Sequence, residues 1–342
     1  MSARGRPRSA DRVIDIQTHY VAPAAARIVQ RNRDRLGTSV DGLDLSGGIL
    51  GPMFGVDARL RAMDAAGIDV SVLSFAPIGI VEDVEFCVEL CQAANDGLLA
   101  LCATHAGRFV AAAMLPLPDG KAAIAELARI RDEPDLRAIQ IVAQTTRYRP
   151  DAISLEPLFQ AAGDAGLPII IHPAAGVADL APQFADYGLA SGMHAMVSSA
   201  LVAARMIQSG MMDRHPGLEL ILTHLGGILP FLVDRLDSRN SGPCDFPPSH
   251  YLRSRLWFDA CGYPAGPALR CALATVGADR LLVGSDWPSR AIEPALEAVR
   301  DLELSREATR AFLGGNAARW FNPAQPRSVP GLNNPRSDSH RR

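Results

Sequence analysis

The sequence predicts an α/β protein built as a single (β/α)8 barrel, and three observations carry that expectation. Short runs rich in Val, Ile and Leu alternate with helix-period segments about eight times along 342 residues. Near-continuous apolar strands separated by helices belong to a parallel sheet buried on both faces, and eight repeats favour closure over an open, doubly wound sheet. Four of the runs also end on side chains able to bind a metal or carry a proton. They are VIDIQTH (Gln17, His19), LPIIIHP (His172), LELILTHLGG (His224) and RLLVGSDWP (Asp286).

Taken in order, the strand-like runs are 12–17, 69–75, 109–114, 136–142, 167–171, 218–222, 255–259 and 280–284, bounded by Gly, Pro or Asp. Helical spacing runs through 83–105, 119–132, 154–165, 192–212, 228–239, 264–276 and 291–301. The stretch 20–56 contains GLDLSGGILGP and follows no clear period, so a cap loop over the barrel mouth is expected there. Residues 1–11 are expected to form a flexible N-terminal tail and 12–322 the barrel. The segment 323–342, rich in Pro, Ser, Arg and Asn, is expected to be a flexible C-terminal tail. No GxGxxG follows the first strand and no Walker-type loop is present, which leaves a nucleotide site without support.

Composition narrows the function classes. With 48% hydrophobic residues the chain can bury a large core. A formal net charge of −3 leaves no electrostatic footprint for nucleic acid. No uninterrupted apolar run approaches membrane-spanning length, and the basic start MSARGRPRSADR lacks the apolar segment of a secretory signal, so a cytoplasmic protein with no membrane partner is expected. The six cysteines form no CxxC pair, which fits reduced, partly buried thiols, and Cys87 and Cys91, one helical turn apart, read as packing. Lys121, in the turn before a helix, is the sole lysine. A Schiff base or a carbamylated lysine bridging two metals needs a lysine at a strand end, so a mononuclear site, or none, is favoured.

In a parallel barrel the carboxyl ends of all strands open onto one face, so Gln17, His19, His172, His224 and Asp286 would converge there. A lone His at a strand end is more often a satisfied polar residue than a ligand, but four such positions in barrel order favour an active site. Neutral imidazoles and a carboxylate suit Zn²⁺ or Mn²⁺. Gln17 is the weak member, because an amide oxygen is neutral and a poorer donor than imidazole or carboxylate. Asp286 in GSDWP could instead cap the following helix. Phe75 and Trp287 divide between pocket wall and core packing. Arg61 reads as a solvated helix face. His194 could project toward the pocket from the segment after the fifth strand. His105 near a helix end, His215 in a turn, His250 in a Pro-rich loop and His340 in the tail read as peripheral.

Longer stretches extend the pattern: RLRAMDAAGIDVSVLS (59–74), SGMMDRHPGLELILTHLGGILPFLVDRLD (209–237), and VGADRLLVGSDWP (276–288) followed by GGNAARWF (314–321). With the four strand ends they resemble the amidohydrolase superfamily over roughly residues 12–322. The similar branch contains the aminocarboxymuconate-semialdehyde, γ-resorcylate and 5-carboxyvanillate decarboxylases. The resemblance implies a barrel of the metal-dependent hydrolase type and a lyase that decarboxylates a small aromatic or unsaturated carboxylic acid. The family's His-x-His or Glu-x-His falls on Gln17-Thr18-His19, its fifth-strand ligand on His172, its acid/base on His224, and its ligand and proton carrier on Asp286. Arg235 has the spacing of an arginine that binds a substrate carboxylate in a neighbouring subunit, which implies a homodimer or larger assembly. Phe75, Trp287 and His194 are the remaining candidates for substrate contact. The amide at Gln17 implies one divalent ion, Zn²⁺ or Mn²⁺, held weakly or not at all. A lactone or amide hydrolase, a hydratase or cyclase, and a catalytically silent ligand-binding barrel stand as alternatives.

Overall fold

The structure, a computed structural model, describes residues 12–32, 51–76, 83–143, 151–173, 181–184 and 186–327. The tail 1–11, residues 33–50 of the expected cap loop, and 328–342 of the expected C-terminal tail lie outside the described residues.

Eight strands form one sheet in chain order. They are β1 (Ile14–His19), β2 (Val70–Ser74), β3 (Phe109–Met114), β4 (Leu136–Ala143), β5 (Ile169–Pro173), β6 (Leu220–Leu222), β7 (Leu256–Asp259) and β8 (Leu281–Leu282). Each pairs in parallel with the next. The segment following β8 closes the ring on β1. Ile16 donates its N–H to Val283 O, Asp286 to Gln17 O, and His19 to Trp287 O, each at 2.9 Å. That seam brings Asp286 beside Gln17 and His19 from the far end of the sequence.

Successive side chains of a strand point to opposite faces, so a strand buried on both must be apolar nearly throughout. Outward residues such as Leu73, Phe109, Ile139, Ile171, Leu222 and Phe258 belong to the large cluster under the helices. Inward residues Ile14, Ile16, Val70, Val72, Val110, Ile170, Ile221 and Leu282 form a second cluster inside the barrel. A short closing helix, Ala318–Phe321, adds Trp320 and Phe321 to that inner cluster beside Trp257, whose ring meets Trp320 edge-on at 5.0 Å. The cluster joins residues at the starts of several strands, so this helix plugs the amino-terminal end of the barrel.

The principal helices are α1 (Pro23–Arg31), α2 (Val56–Ala66), α3 (Val84–Thr104), α4 (Gly120–Ile130), α5 (Glu156–Asp164), α6 (Ala195–Gln208), α7 (Leu229–Ser238), α8 (Pro267–Val276) and α9 (Glu293–Arg300). By length and composition α3 could cross a membrane, but it packs on β3 and α1 and buries Phe86, Leu90, Cys91, Ala94 and Leu98, as a barrel helix does.

Two expectations need correction. The segment 20–56 is not irregular throughout, because α1 occupies Pro23–Arg31 and a helical turn covers Gly51–Phe54. Proline in the first turn supplies a fixed φ suited to a helix start, and Ala25, Ala26, Ile28 and Val29 form a buried face. His250 lies not in a loop but in the helix Pro248–Ser254, which again starts on a proline. The first residues of the expected C-terminal tail turn back on Asn322, whose side-chain and backbone oxygens accept from Ala324 and Gln325 at 3.1 Å.

Candidate active site

Gln17 and His19 are two residues apart on β1 and share one face of it, out of step with the inward Ile14 and Ile16. The pairing register with β2 shifts between Asp15 and Thr18, a bulge of the kind that re-aims side chains beside active sites. His172 lies near the end of β5, while His224 and Asp286 follow β6 and β8. Their φ angles are 52° and 63°, in the left-handed region that costs a non-glycine residue about 1–3 kcal/mol, so the surrounding structure must hold these two backbones in place. Part of that support is Gly227. A Cβ there would sit 2.0 Å from Met196 O, so only glycine lets the start of α6 approach the loop that carries His224.

The side chains converge. Asp286 Oδ1 is 3.0 Å from His19 Nε2 and 3.9 Å from His172 Nε2. The rings of His19 and His172 meet edge-on at 4.9 Å, and those of His172 and His224 at 5.5 Å. One terminus of the Gln17 amide is 3.0 Å from Nε2 of both His172 and His224 and 3.3 Å from Asp286 Oδ1. The other faces Asp259 Oδ2 at 2.7 Å.

Hydrogen bonding places the imidazole protons. Backbone carbonyls only accept, so His172 Nδ1 donates to Pro173 O at 2.7 Å and His224 Nδ1 to Cys261 O at 3.3 Å. The Ser74 hydroxyl donates to Thr18 O at 3.2 Å and accepts from His19 Nδ1 at 3.1 Å. Three neutral rings thus turn Nε2 lone pairs toward the Asp286 carboxylate, a surplus of acceptors that a cation resolves. His19, His172 and Asp286 offer ligand atoms that all lie within 4.8 Å of one another, and anchored Nδ1–H groups are what orient metal-binding histidines. These residues fit a divalent ion.

The electrostatics agree with neutral rings around an ionised Asp286. Burial lowers the pKa of His19, and it pushes His224 down to about 4, with help from the neighbouring His172 and against the Asp286 carboxylate. Burial raises Asp286, but the His172 and His19 rings beside it outweigh burial and hold the carboxyl well below the usual range, so it stays an anion between them. Two further carboxylates lie fully buried beneath the site. Burial pushes Asp15 up to about 6, against hydrogen bonds from Ser285 Oγ at 2.6 Å and Ser285 N at 2.9 Å. It pushes Asp259 up to about 8, against N–H donation from Cys261 and His224 at 2.9 Å each. A divalent ion in the site would draw both down.

Of the residues expected from sequence, Gln17, His19, His172, His224 and Asp286 come together. Phe75 follows β2 and is buried, and its carbonyl accepts from Gln140 Nε2 at 3.0 Å. Trp287 is half-buried under the Arg59 guanidinium, 4.3 Å from its ring. His194 is buried against Phe184, ring to ring at 4.8 Å, with no hydrogen bond to the cluster among the described residues. Arg235 is exposed on α7. A cavity of about 320 Å³ between the β7 and β8 loops is lined by Tyr263, Ser285 and Arg290 but by none of the converging side chains, so it lies beside the site.

Sequence reasoning passed over Asp15, Asp259 and Arg59. The two aspartates carried a signal, since each interrupts an otherwise apolar strand run. Arg59 carried one too, lying one helical turn before the buried Met63 on α2. It is 2% exposed, donates to His19 O, and leaves Nε and Nη1 without partners. Burial pushes its pKa down to about 10, opposed by Asp15 and Tyr20. Arg61 is exposed, as expected.

The amidohydrolase family matches residues 14–322. The chain belongs to that family. A γ-resorcylate decarboxylase of Rhizobium sp. (strain MTP-10005) is 31% identical over 292 residues, which cover 78% of this chain and 86% of the relative. A 2-amino-3-carboxymuconate-6-semialdehyde decarboxylase of Dictyostelium discoideum is 27% identical over 279 residues, covering 78% and 76%. Among solved structures, a 5-carboxyvanillate decarboxylase from Sphingomonas paucimobilis superposes with a TM-score of 0.82 at 26% identity, over 91% of this chain and 99% of its own. A 2,6-dihydroxybenzoate decarboxylase bound to 2,6-dihydroxybenzoate gives 0.77 at 25%, over 91% and 98%. The chain is an amidohydrolase-family enzyme of the decarboxylase branch, on the expected (β/α)8 barrel.

Proposed function

We propose that this enzyme is a carbon–carbon lyase that decarboxylates a small hydroxy-substituted aromatic acid without oxidation. One divalent ion, Zn²⁺ or Mn²⁺, would be held by His19, His172 and Asp286, and more weakly by Gln17. The observation that carries the reading is the convergence of three Nε2 lone pairs on Asp286 at the open end of a barrel whose relatives are decarboxylases.

When bound, the ion would supply positive charge that attracts and polarises an anionic substrate. The chain's own groups handle the proton. The ring carbon bearing the carboxylate must first gain one, and His224 and Asp286, both unprotonated in the resting site, would take it up from solvent and pass it on. The bond to the carboxylate then breaks, its electron pair returns to the ring, and CO₂ leaves with aromaticity restored. Phe75 and Trp287 serve as apolar wall for the ring, and His194, with an unpartnered Nδ1, as a further substrate contact. The decarboxylase relatives favour a lyase over a lactone or amide hydrolase, a hydratase or a silent barrel.

The same reading makes the chain a homodimer or larger assembly. Phe231 is 79% exposed on α7 and Ile228 38% exposed just before it, an apolar face for a second copy. Arg235 on that helix would offer its guanidinium to a substrate carboxylate across the interface. The free cysteines support a cytoplasmic location.

The test is to load chelator-stripped protein with Mn²⁺ or Zn²⁺ and assay CO₂ release from 2,6-dihydroxybenzoate, 5-carboxyvanillate and related hydroxybenzoates. Release that stops with chelator and returns with metal is expected. Lactone opening with no CO₂ from any aromatic acid would overturn the reading.

A further inference from the structure

The amide of Gln17 has one donor end and one acceptor end, so whatever stands behind it decides which end faces the pocket. What stands behind it is Asp259. Its Oδ2 is 2.7 Å and its Oδ1 3.3 Å from the rear terminus of the amide, while the front terminus lies 3.0 Å from Nε2 of both His172 and His224. Asp259 is itself fixed. Oδ1 accepts N–H from His224 and from Cys261, each at 2.9 Å, so the carboxylate cannot swing away and Oδ2 keeps lone pairs for Gln17. Gly284 leaves room for the pair, since a Cβ there would lie 2.8 Å from Asp259 Oδ2 and 3.0 Å from Gln17 Cβ.

We propose that Asp259 is the positioning residue of the metal site: it accepts the Gln17 N–H and so turns the Gln17 carbonyl oxygen toward an ion held by His19, His172 and Asp286. Gln17 then acts as a neutral ligand, and the negative charge that a first-strand Glu would carry stands one residue back, on Asp259. Without an acceptor behind it, the amide is free to present N–H to the histidine lone pairs, which blocks the ion. This inference rests on the metal-dependent reading above.

The test is calorimetric titration of chelator-stripped protein with Mn²⁺. Wild type should bind one ion. Asp259→Asn can donate to the Gln17 oxygen and turn it inward, so its affinity should fall tenfold or more, the scale seen when a ligand loses its orienting partner. Its apo thermal midpoint should show that it is still folded. Gln17→Glu/Asp259→Asn restores an anion facing the ion with a donor behind it, and should bind at least as tightly as wild type. Gln17→Glu alone sets two carboxylates against each other and should bind less tightly than the double variant. A merely structural role for Asp259 would not be rescued by a change at Gln17. Equal affinity of Asp259→Asn and wild type overturns the positioning role and leaves the metal reading standing. No Mn²⁺ uptake by wild type overturns both. If Asp259→Asn does not fold, the double variant decides alone, and binding no tighter than Gln17→Glu overturns the proposal.

Discussion

The two ends of this barrel are built from the same eight strands and behave as opposites. At the amino-terminal end Trp257, Trp320 and Phe321 fill the interior with apolar surface, and Arg319 lies 4.6 Å over the Trp320 ring. At the carboxyl-terminal end the interior holds three imidazoles, three aspartates and an amide, with two backbones in left-handed conformations. One end gains stability from burial. The other spends it on buried polar groups and strain, as sites of chemistry do.

If that division holds, substitutions at the two ends should separate activity from stability. The largest effect is expected for Asp286→Asn, which should lower kcat by roughly 10²- to 10⁴-fold while the protein stays folded by circular dichroism. Nearly full turnover on the true substrate would remove Asp286 from proton transfer. Trp320→Ala should do the reverse, costing about 3–5 kcal/mol in denaturant unfolding while the Mn²⁺ affinity of the folded protein is retained. A metal affinity that collapsed with it would mean that the two ends are coupled.

The acid response sharpens the contrast. His224 is lowered from 6.5 to about 4 by burial, so its contribution to stability is complete above pH 6.5 and is lost as pH falls toward 4, by at most roughly 3 kcal/mol. Asp15 and Asp259 are raised, so they act in the opposite sense, and the His224 effect must be read as a difference between variants. Metal-free His224→Asn should lose less stability than metal-free wild type between pH 6.5 and 4 in urea titrations. Equal losses would assign the acid sensitivity elsewhere. The smallest change is expected outside both ends: Arg235→Ala should raise KM for an anionic substrate about tenfold and shift stability by less than about 0.5 kcal/mol. Sedimentation showing an active monomer at micromolar concentration would remove its role across subunits.

Much of this site was legible before any geometry. His172 ends LPIIIHP and Asp286 ends RLLVGSD, so the apolar run and its polar terminus marked strand and site together. Arg59, Asp15 and Asp259 were harder to see. A charged residue in an apolar run reads equally well as a surface position, and its value depends on neighbours from other strands. The helix α1 was hidden for a related reason, since the Gly-rich stretch that follows it broke the local period and invited one irregular segment.

Periodicity depends only on the order of residues, and alternating apolar runs at two periods were enough to specify a parallel barrel and the end at which chemistry would gather. The proton positions on three histidines, the facing of the Gln17 amide and the burial of Asp259 depend on atoms brought together across the β1–β8 seam and the neighbouring strand ends. Those contacts exist only after the sheet closes, because hydrogen bonding and desolvation act through space and not along the chain.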